Sequence, residues 1–259
     1  MLAEKLVELE IAESVSDKTV GRALKKNELR PHIRKCRVIP PEKNADFVAC
    51  MEDVLDVYKR TYDPDFPVIC MDEQLTQLIG EIKTPVQAKP GQPLKYDYQY
   101  KRNGTATNFM FTEPLGGWRN INVLEKKTAI DRADEIKELL TEDYPDAKKV
   151  ILICDNLNTH KPGSLYKAFP PGEAREFLNR LEIHYTPKHG SRLNIAEIEL
   201  NVFTGQCLSR RIPDIDTLKA EAKNWWQHRN TKQKSVNWQF KVDDARIKLK
   251  RLYPQIQMG

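Results

Sequence analysis

Three places in this 259-residue chain combine acidic residues with a setting in which they could do chemistry. Asp72 ends one apolar run, Phe66-Pro-Val-Ile-Cys-Met-Asp72, and Asp155 ends a second, ILICD (151–155); a third acid, Glu197 or Glu199, opens a helix after a turn containing Pro187 and Gly190. An apolar, β-branched run bounded by turn residues reads as a buried strand, so a carboxylate closing it stands at the mouth of a core. A single strand-end aspartate can equally form a turn or cap a helix, but two runs with the same ending favour a shared task. Two carboxylates about 4 Å apart repel by about 4 kcal/mol at an effective dielectric near 20, so such a cluster calls for a cation. Oxygen-only ligands select a hard ion, Mg2+ or Mn2+. Two such ions, roughly 3.5–4 Å apart, can activate a water or hydroxyl on one side of a phosphodiester and stabilise the leaving oxygen on the other. Glu197 and Glu199 lie about 200° apart around a helix, so only one of them can face that site.

The elements that must position these acids can be read from periodicity and punctuation. Residues 1–30 have the spacing of two short helices, the second capped by Ser16 and stopped by Pro31. Val38-Ile-Pro-Pro-Glu-Lys-Asn44 reads as a linker, because paired prolines cannot continue a helix. A helix is predicted over 45–62, a strand over 66–73, and a β-hairpin over 96–112 with Asn103-Gly104 as its turn. A helix over 127–142, a strand over 149–155, a helix over 173–180 and a strand over 182–186 follow, with helices filling most of the remainder, including 214–230. Antiparallel strands first, then strands alternating with helices, predict an α/β fold: a mixed sheet flanked by helices, with Asp72 and Asp155 on neighbouring strands.

Charge is unevenly spread. Residues 1–40 carry 9 Lys/Arg against 6 Asp/Glu and residues 205–259 carry 12 against 5, whereas residues 41–204 carry 21 against 26. Basic flanks around an acidic middle suit a protein that grips a polyanion at its edges and gathers cations in its centre. Lys18, Arg22, Lys25, Lys26, Arg34, Lys35 and Arg37 crowd the second predicted helix and its tail, as expected of a helix-turn-helix meeting DNA phosphates. Lys188, His189 and Arg192 form a basic turn beside the proposed acidic site. Asn156 and Asn194 flank the acids and could orient them or cap turns, and His160, His184 and His189 are candidates for phosphate contact or for ordinary surface positions. Core packing is the favoured role for Trp225 or Trp226. The five cysteines contain no C-x-x-C pair, which argues against a zinc knuckle, and Cys70 and Cys154 sit in apolar runs as small buried residues. No apolar run approaches the roughly 20 residues of a membrane span, and the first residues lack a secretory pattern, which points to the cytoplasm.

CMDEQ (70–74), YKRNGTATNFMFTEPLGGWR (100–119), ILICDNLNTH (151–160), HYTPKHGSRLNIAEIEL (184–200) and VNWQFKVDDARIKLKRLYP (236–254) together resemble the bacterial insertion-sequence branch of the mariner superfamily of DDE transposases. The resemblance runs from about residue 15 to the end. It implies a ribonuclease H-like catalytic domain over 66–210, preceded by a partial helix-turn-helix region (1–37) and a linker with its connecting helix (38–65), and followed by a helical extension (211–259). It maps the catalytic, metal-holding acids onto Asp72, Asp155 and Glu197, in preference to Glu199. The implied chemistry is hydrolysis at transposon ends, dependent on Mg2+ or Mn2+ as two ions, then attack of the freed 3′-hydroxyl on target DNA, commonly at a TA step. The implied partners are transposon-end and target DNA and a second copy of the chain, at the bacterial nucleoid and not at a membrane. Position 192 departs from the family segment, which carries Trp where this chain has Arg.

Family members carry two helix-turn-helix units, and here there is room for one. The resemblance therefore implies a shortened front end and, as the competing reading, a non-catalytic DNA-binding regulator that inhibits transposition.

Overall fold

A computed structural model describes residues 14–26 and 44–254. The chain divides into two compact units, Met1–Pro41 and Glu42–Gly259. In the first, α1 (Asp17–Lys26) begins at Ser16, whose Oγ accepts from the amide of Thr19 over 3.2 Å, the cap expected from the sequence. Lys18 and Arg22 are exposed on α1. The side chains of Lys25 and Lys26, the segment with Arg34, Lys35 and Arg37, and the first predicted helix lie outside the described residues.

The second unit is a mixed five-stranded sheet covered by helices on both faces. The strands are β1 (Val68–Glu81), β2 (Tyr100–Glu113), β3 (Trp118–Leu124), β4 (Val150–Cys154) and β5 (Leu181–Tyr185), in the order β3-β2-β1-β4-β5. The β1–β2 and β2–β3 pairs are antiparallel, and β1–β4 and β4–β5 are parallel. This is the ribonuclease H-like arrangement expected of the chain. The helices are α2 (Ala45–Tyr58), α3 (Ala129–Glu138), α4 (Gly163–Ala168), α5 (Pro171–Asn179), α6 (Ile195–Cys207), α7 (Ile215–Thr231) and α8 (Val242–Lys248).

Strand alternation sorts the core into two layers. Ile69, Met71, Phe109, Phe111, Val150, Leu152 and Cys154 face a layer completed by residues of α3, α4 and α5. Cys70, Met110, Ile121, Ile151 and Ile153 face the other, filled from α2, α6 and α7 by Val54, Ile195, Phe203 and Trp225 among others. The central strands are buried on both sides, which is why their sequence is a continuous apolar run rather than an alternating one. Cys70 and Cys154 are buried as expected, and Trp225 packs edge-on against Phe203 with its Nε1 donating to Gln206. Among the described residues no helix is long and apolar enough to cross a membrane.

Three expectations need correction. Asn103-Gly104 is not a hairpin turn: both residues lie inside β2, and the connection between β1 and β2 is residues 82–99. The pairing shifts there, from Gln77 opposite Thr105 to Ile79 opposite Arg102, so the dipeptide supplies the extra residue of a β-bulge. Gly104 takes φ +96°, which suits a bulge as well as a turn, and Asn103 Nδ2 is held by the carbonyl of Pro213 at 2.8 Å. Asp72 does not close its strand, because β1 runs on to Glu81; the parallel partner β4 is paired only as far as Cys70, so Asp72 stands just past the point where that pairing stops. Finally, β3 lies in a stretch to which no strand was assigned. Its Asn120 and Asn122 mask the alternation, yet Asn120 is buried and Asn122 donates to Glu135 of α3 over 2.8 Å.

Candidate active site

Alternation places Asp72 on the same face of β1 as Cys70, toward the layer that contains α6. Asp155 follows the last residue of β4, and Glu197 lies in the first turn of α6. Asp72 feels both of the other acids. Its carboxyl is pushed up to about 6, first by burial and then by the negative charges of Asp155, Glu197 and Glu73, against the effect of the Glu73 amide, which donates to Oδ1 over 2.8 Å. Two acids far from it in sequence, Asp155 and Glu197, thus raise the Asp72 carboxyl.

Buried polar contacts fix this rim. Asn194, 1% exposed, donates from Nδ2 to the carbonyl of Met71 over 2.7 Å and accepts from the Ala196 amide at Oδ1 over 3.1 Å. One side chain therefore caps α6 and ties its start to the residue before Asp72. The Tyr58 hydroxyl, brought by α2, donates to the carbonyl of Leu193 over 2.7 Å and accepts from the Ile195 amide over 3.3 Å. Glu199 turns away into the protein, where it is ion-paired with Arg119 of β3 (3.2 Å) and Arg229 of α7 (2.9 Å). Its side chain is 4% exposed, and Glu197 is half-buried.

His160 is the residue that sequence reasoning undervalued. It is fully buried, with Nε2 2.7 Å from Glu73 Oε1 and Nδ1 in close contact with Asp155 Oδ1. Burial alone would lower its pKa, but hydrogen bonds to Asp155, Cys154 and Glu73 raise it. A histidine next to Lys161 in sequence gives no sign of this burial; the only available signal was its position five residues after Asp155. His184 is bound instead to Asp53 and Glu182, at 2.7 and 2.9 Å. Asn156 is exposed, with Oδ1 against Lys161 Nζ, and that ammonium lies 4.5 Å from the centre of the Tyr185 ring. Lys188, His189 and Arg192 are exposed on the segment leading from β5 to α6, with His189 at φ +67°.

The donor set at the rim is oxygen only, and Asp72 carries a repulsion that a divalent cation would relieve, so the residues fit a hard ion such as Mg2+ or Mn2+. Among the described residues no three His, Cys, Asp or Glu side chains form a ready cage, so an ion here would need water or substrate oxygens to complete its shell.

The fold has solved counterparts. It matches the crystal structure of the mariner Mos1 paired end complex with Mg at a TM-score of 0.55 and 17% identity, covering 98% of this chain and 75% of that one. It matches the Mos1 mariner paired end complex with Mn at 0.54 and 17%, covering 90% and 70%, and the Mos1 transposase paired-end complex with left transposon end at 0.54 and 16%, covering 92% and 76%. At these identities the likeness speaks for the fold. No curated protein matches the chain. Residues 67–219 match the family model described as DDE superfamily endonuclease. The chain belongs to the DDE superfamily of endonucleases.

Proposed function

We propose that this chain is a transposase of the mariner type, from the bacterial insertion-sequence branch, with Asp72, Asp155 and Glu197 as its catalytic acids. The observation that carries the reading is that Asp72 stands just past the end of the β1–β4 pairing, Asp155 follows β4, and Asn194 ties the start of α6, with Glu197 in its first turn, to the residue before Asp72. Family membership and the mariner-like fold support it.

In this reading the three carboxylates would hold Mg2+ or Mn2+, as two ions, at the sheet rim. When bound, the ions supply Lewis acidity at the scissile phosphate and a means of generating the attacking hydroxide or 3′-alkoxide. The chain's own residues hold the acids in place: Asn194 and Tyr58 fix the start of α6 against β1, and the Arg119–Glu199–Arg229 triad fixes α6 against β3 and α7. Lys18 and Arg22 on α1, with Lys188, His189 and Arg192 before α6, contact backbone phosphates, which position DNA without reading its sequence. The products are transposon ends with free 3′-hydroxyls, which join target DNA, commonly at TA, a step that is easily unstacked.

A labelled duplex carrying the transposon end, incubated with the protein and Mg2+, tests the proposal. Expected are strand cuts that vanish on chelation and in each of Asp72→Asn, Asp155→Asn and Glu197→Gln. Cuts that persist in those variants would refute the assignment. Binding without cuts would favour a non-catalytic regulator.

A further inference from the structure

Glu73 directly follows Asp72, yet the proposed chemistry does not use it. By alternation it projects from the opposite face of β1, toward the layer of α3 to α5, and there its Oε1 is taken by His160 Nε2 at 2.7 Å. The other ring nitrogen, Nδ1, lies against Asp155 Oδ1 and is 3.2 Å from the Asp155 carbonyl. The main chain of His160 is held as well: its amide donates to the carbonyl of Leu157 over 3.0 Å, and its carbonyl accepts from the Tyr185 hydroxyl over 3.1 Å. The buried ring thus spans two carboxylates, one on β1 and one just after β4.

We infer that His160 is a positioning residue for the metal site, one that occupies one oxygen of Asp155. This rests on the reading of Asp155 as a metal ligand. With Oδ1 taken, Asp155 offers an ion a single oxygen in a fixed direction. Partners of this kind, which orient a ligand without touching the metal, typically change affinity about 10–100-fold when lost.

Asparagine and glutamine at position 160 divide the two contacts, because the amide of Asn reaches roughly where Nδ1 stands and that of Gln roughly where Nε2 stands. Calorimetric titration of the DNA-free protein with Mn2+ alone provides a readout independent of catalysis. Expected is a dissociation constant within about three-fold of wild type for His160→Asn and at least about ten-fold weaker for His160→Gln, with melting temperatures in the absence of Mn2+ lowered alike. Both variants keep a polar group in the buried position, so both remain foldable. Unchanged Mn2+ affinity in both, where Asp155→Asn abolishes uptake, would overturn the role of His160 alone. No uptake by wild type, or uptake indifferent to Asp155→Asn, would instead overturn the metal site itself.

Discussion

Asn194 Nδ2 and the carbonyl of Met71 meet at 2.7 Å, and this bond joins the residue that starts α6 to the residue that precedes Asp72. A helix delivering one acid and a strand delivering another are thus held by one buried amide, 123 positions apart in sequence.

Replacing Asn194 should therefore cost stability and activity together. Asn194→Ala removes the cap of α6, worth about 1 kcal/mol, and leaves the Met71 carbonyl without its partner, worth about 1–3 kcal/mol. Asn194→Asp keeps the cap oxygen but sets a negative oxygen against the carbonyl. Chemical denaturation should show both variants to be less stable, and both should cleave transposon-end DNA more slowly; a wild-type midpoint for Asn194→Ala would contradict the assigned role.

Glu197 and Glu199 should separate by phenotype. Glu197→Gln should lose Mg2+-dependent cleavage. Glu199→Gln leaves the Arg119 and Arg229 guanidinium groups without their carboxylate, a loss of about 3–5 kcal/mol for a buried pair. Calorimetric melting alongside a cleavage assay measures both, and a thermally neutral Glu199→Gln would disprove the triad's structural part.

Glu135 should make stability depend on pH. Burial, reinforced by Glu138, Asp143 and Asp134 and opposed by the Asn122 hydrogen bond, pushes its carboxyl up to about 7. The folded chain therefore binds this proton more tightly than the unfolded chain, whose pKa is near the ordinary 4.5. Stability from this group is fully present below about 4.5 and declines as pH rises to about 7, by about 3 kcal/mol in all. Urea titrations at pH 5 and pH 8 should show a smaller drop in Glu135→Gln than in wild type; equal drops would remove Glu135 as the cause.

Two glycines should respond differently to alanine. At Gly104 (φ +96°) an added Cβ meets nothing within 4 Å, so the cost is backbone strain alone, about 1–2 kcal/mol. At Gly117 (φ +69°) the Cβ would also lie 2.9 Å from the main chain of Gln233, in the turn after α7, so Gly117→Ala should lose more. Denaturation midpoints that rank the two in reverse would show that the Gln233 contact yields easily.

Much of this architecture was legible in the chain itself. Ile151–Cys154 read as a doubly buried strand, Ser16 capped the helix it preceded, and Asp72 and Asp155 stood out as charges closing apolar runs, whereas the choice of Glu197 over Glu199 came from the family resemblance. Asn103-Gly104 misled because a positive-φ glycine serves a bulge as readily as a turn, and local sequence holds no record of which strand lies opposite. Trp118–Leu124 escaped because Asn120 and Asn122 look solvent-exposed, yet Asn120 is buried and Asn122 finds the buried Glu135 on α3.

Only the tertiary structure decided how far β1 continues past Asp72, which face Glu73 takes, and that His160 lies buried between two carboxylates. The physical reason is one of range. Periodicity, capping and turn chemistry act over a few residues and are written locally, whereas the fate of a polar side chain depends on the partner that packing brings to it from 5, 87 or 123 positions away.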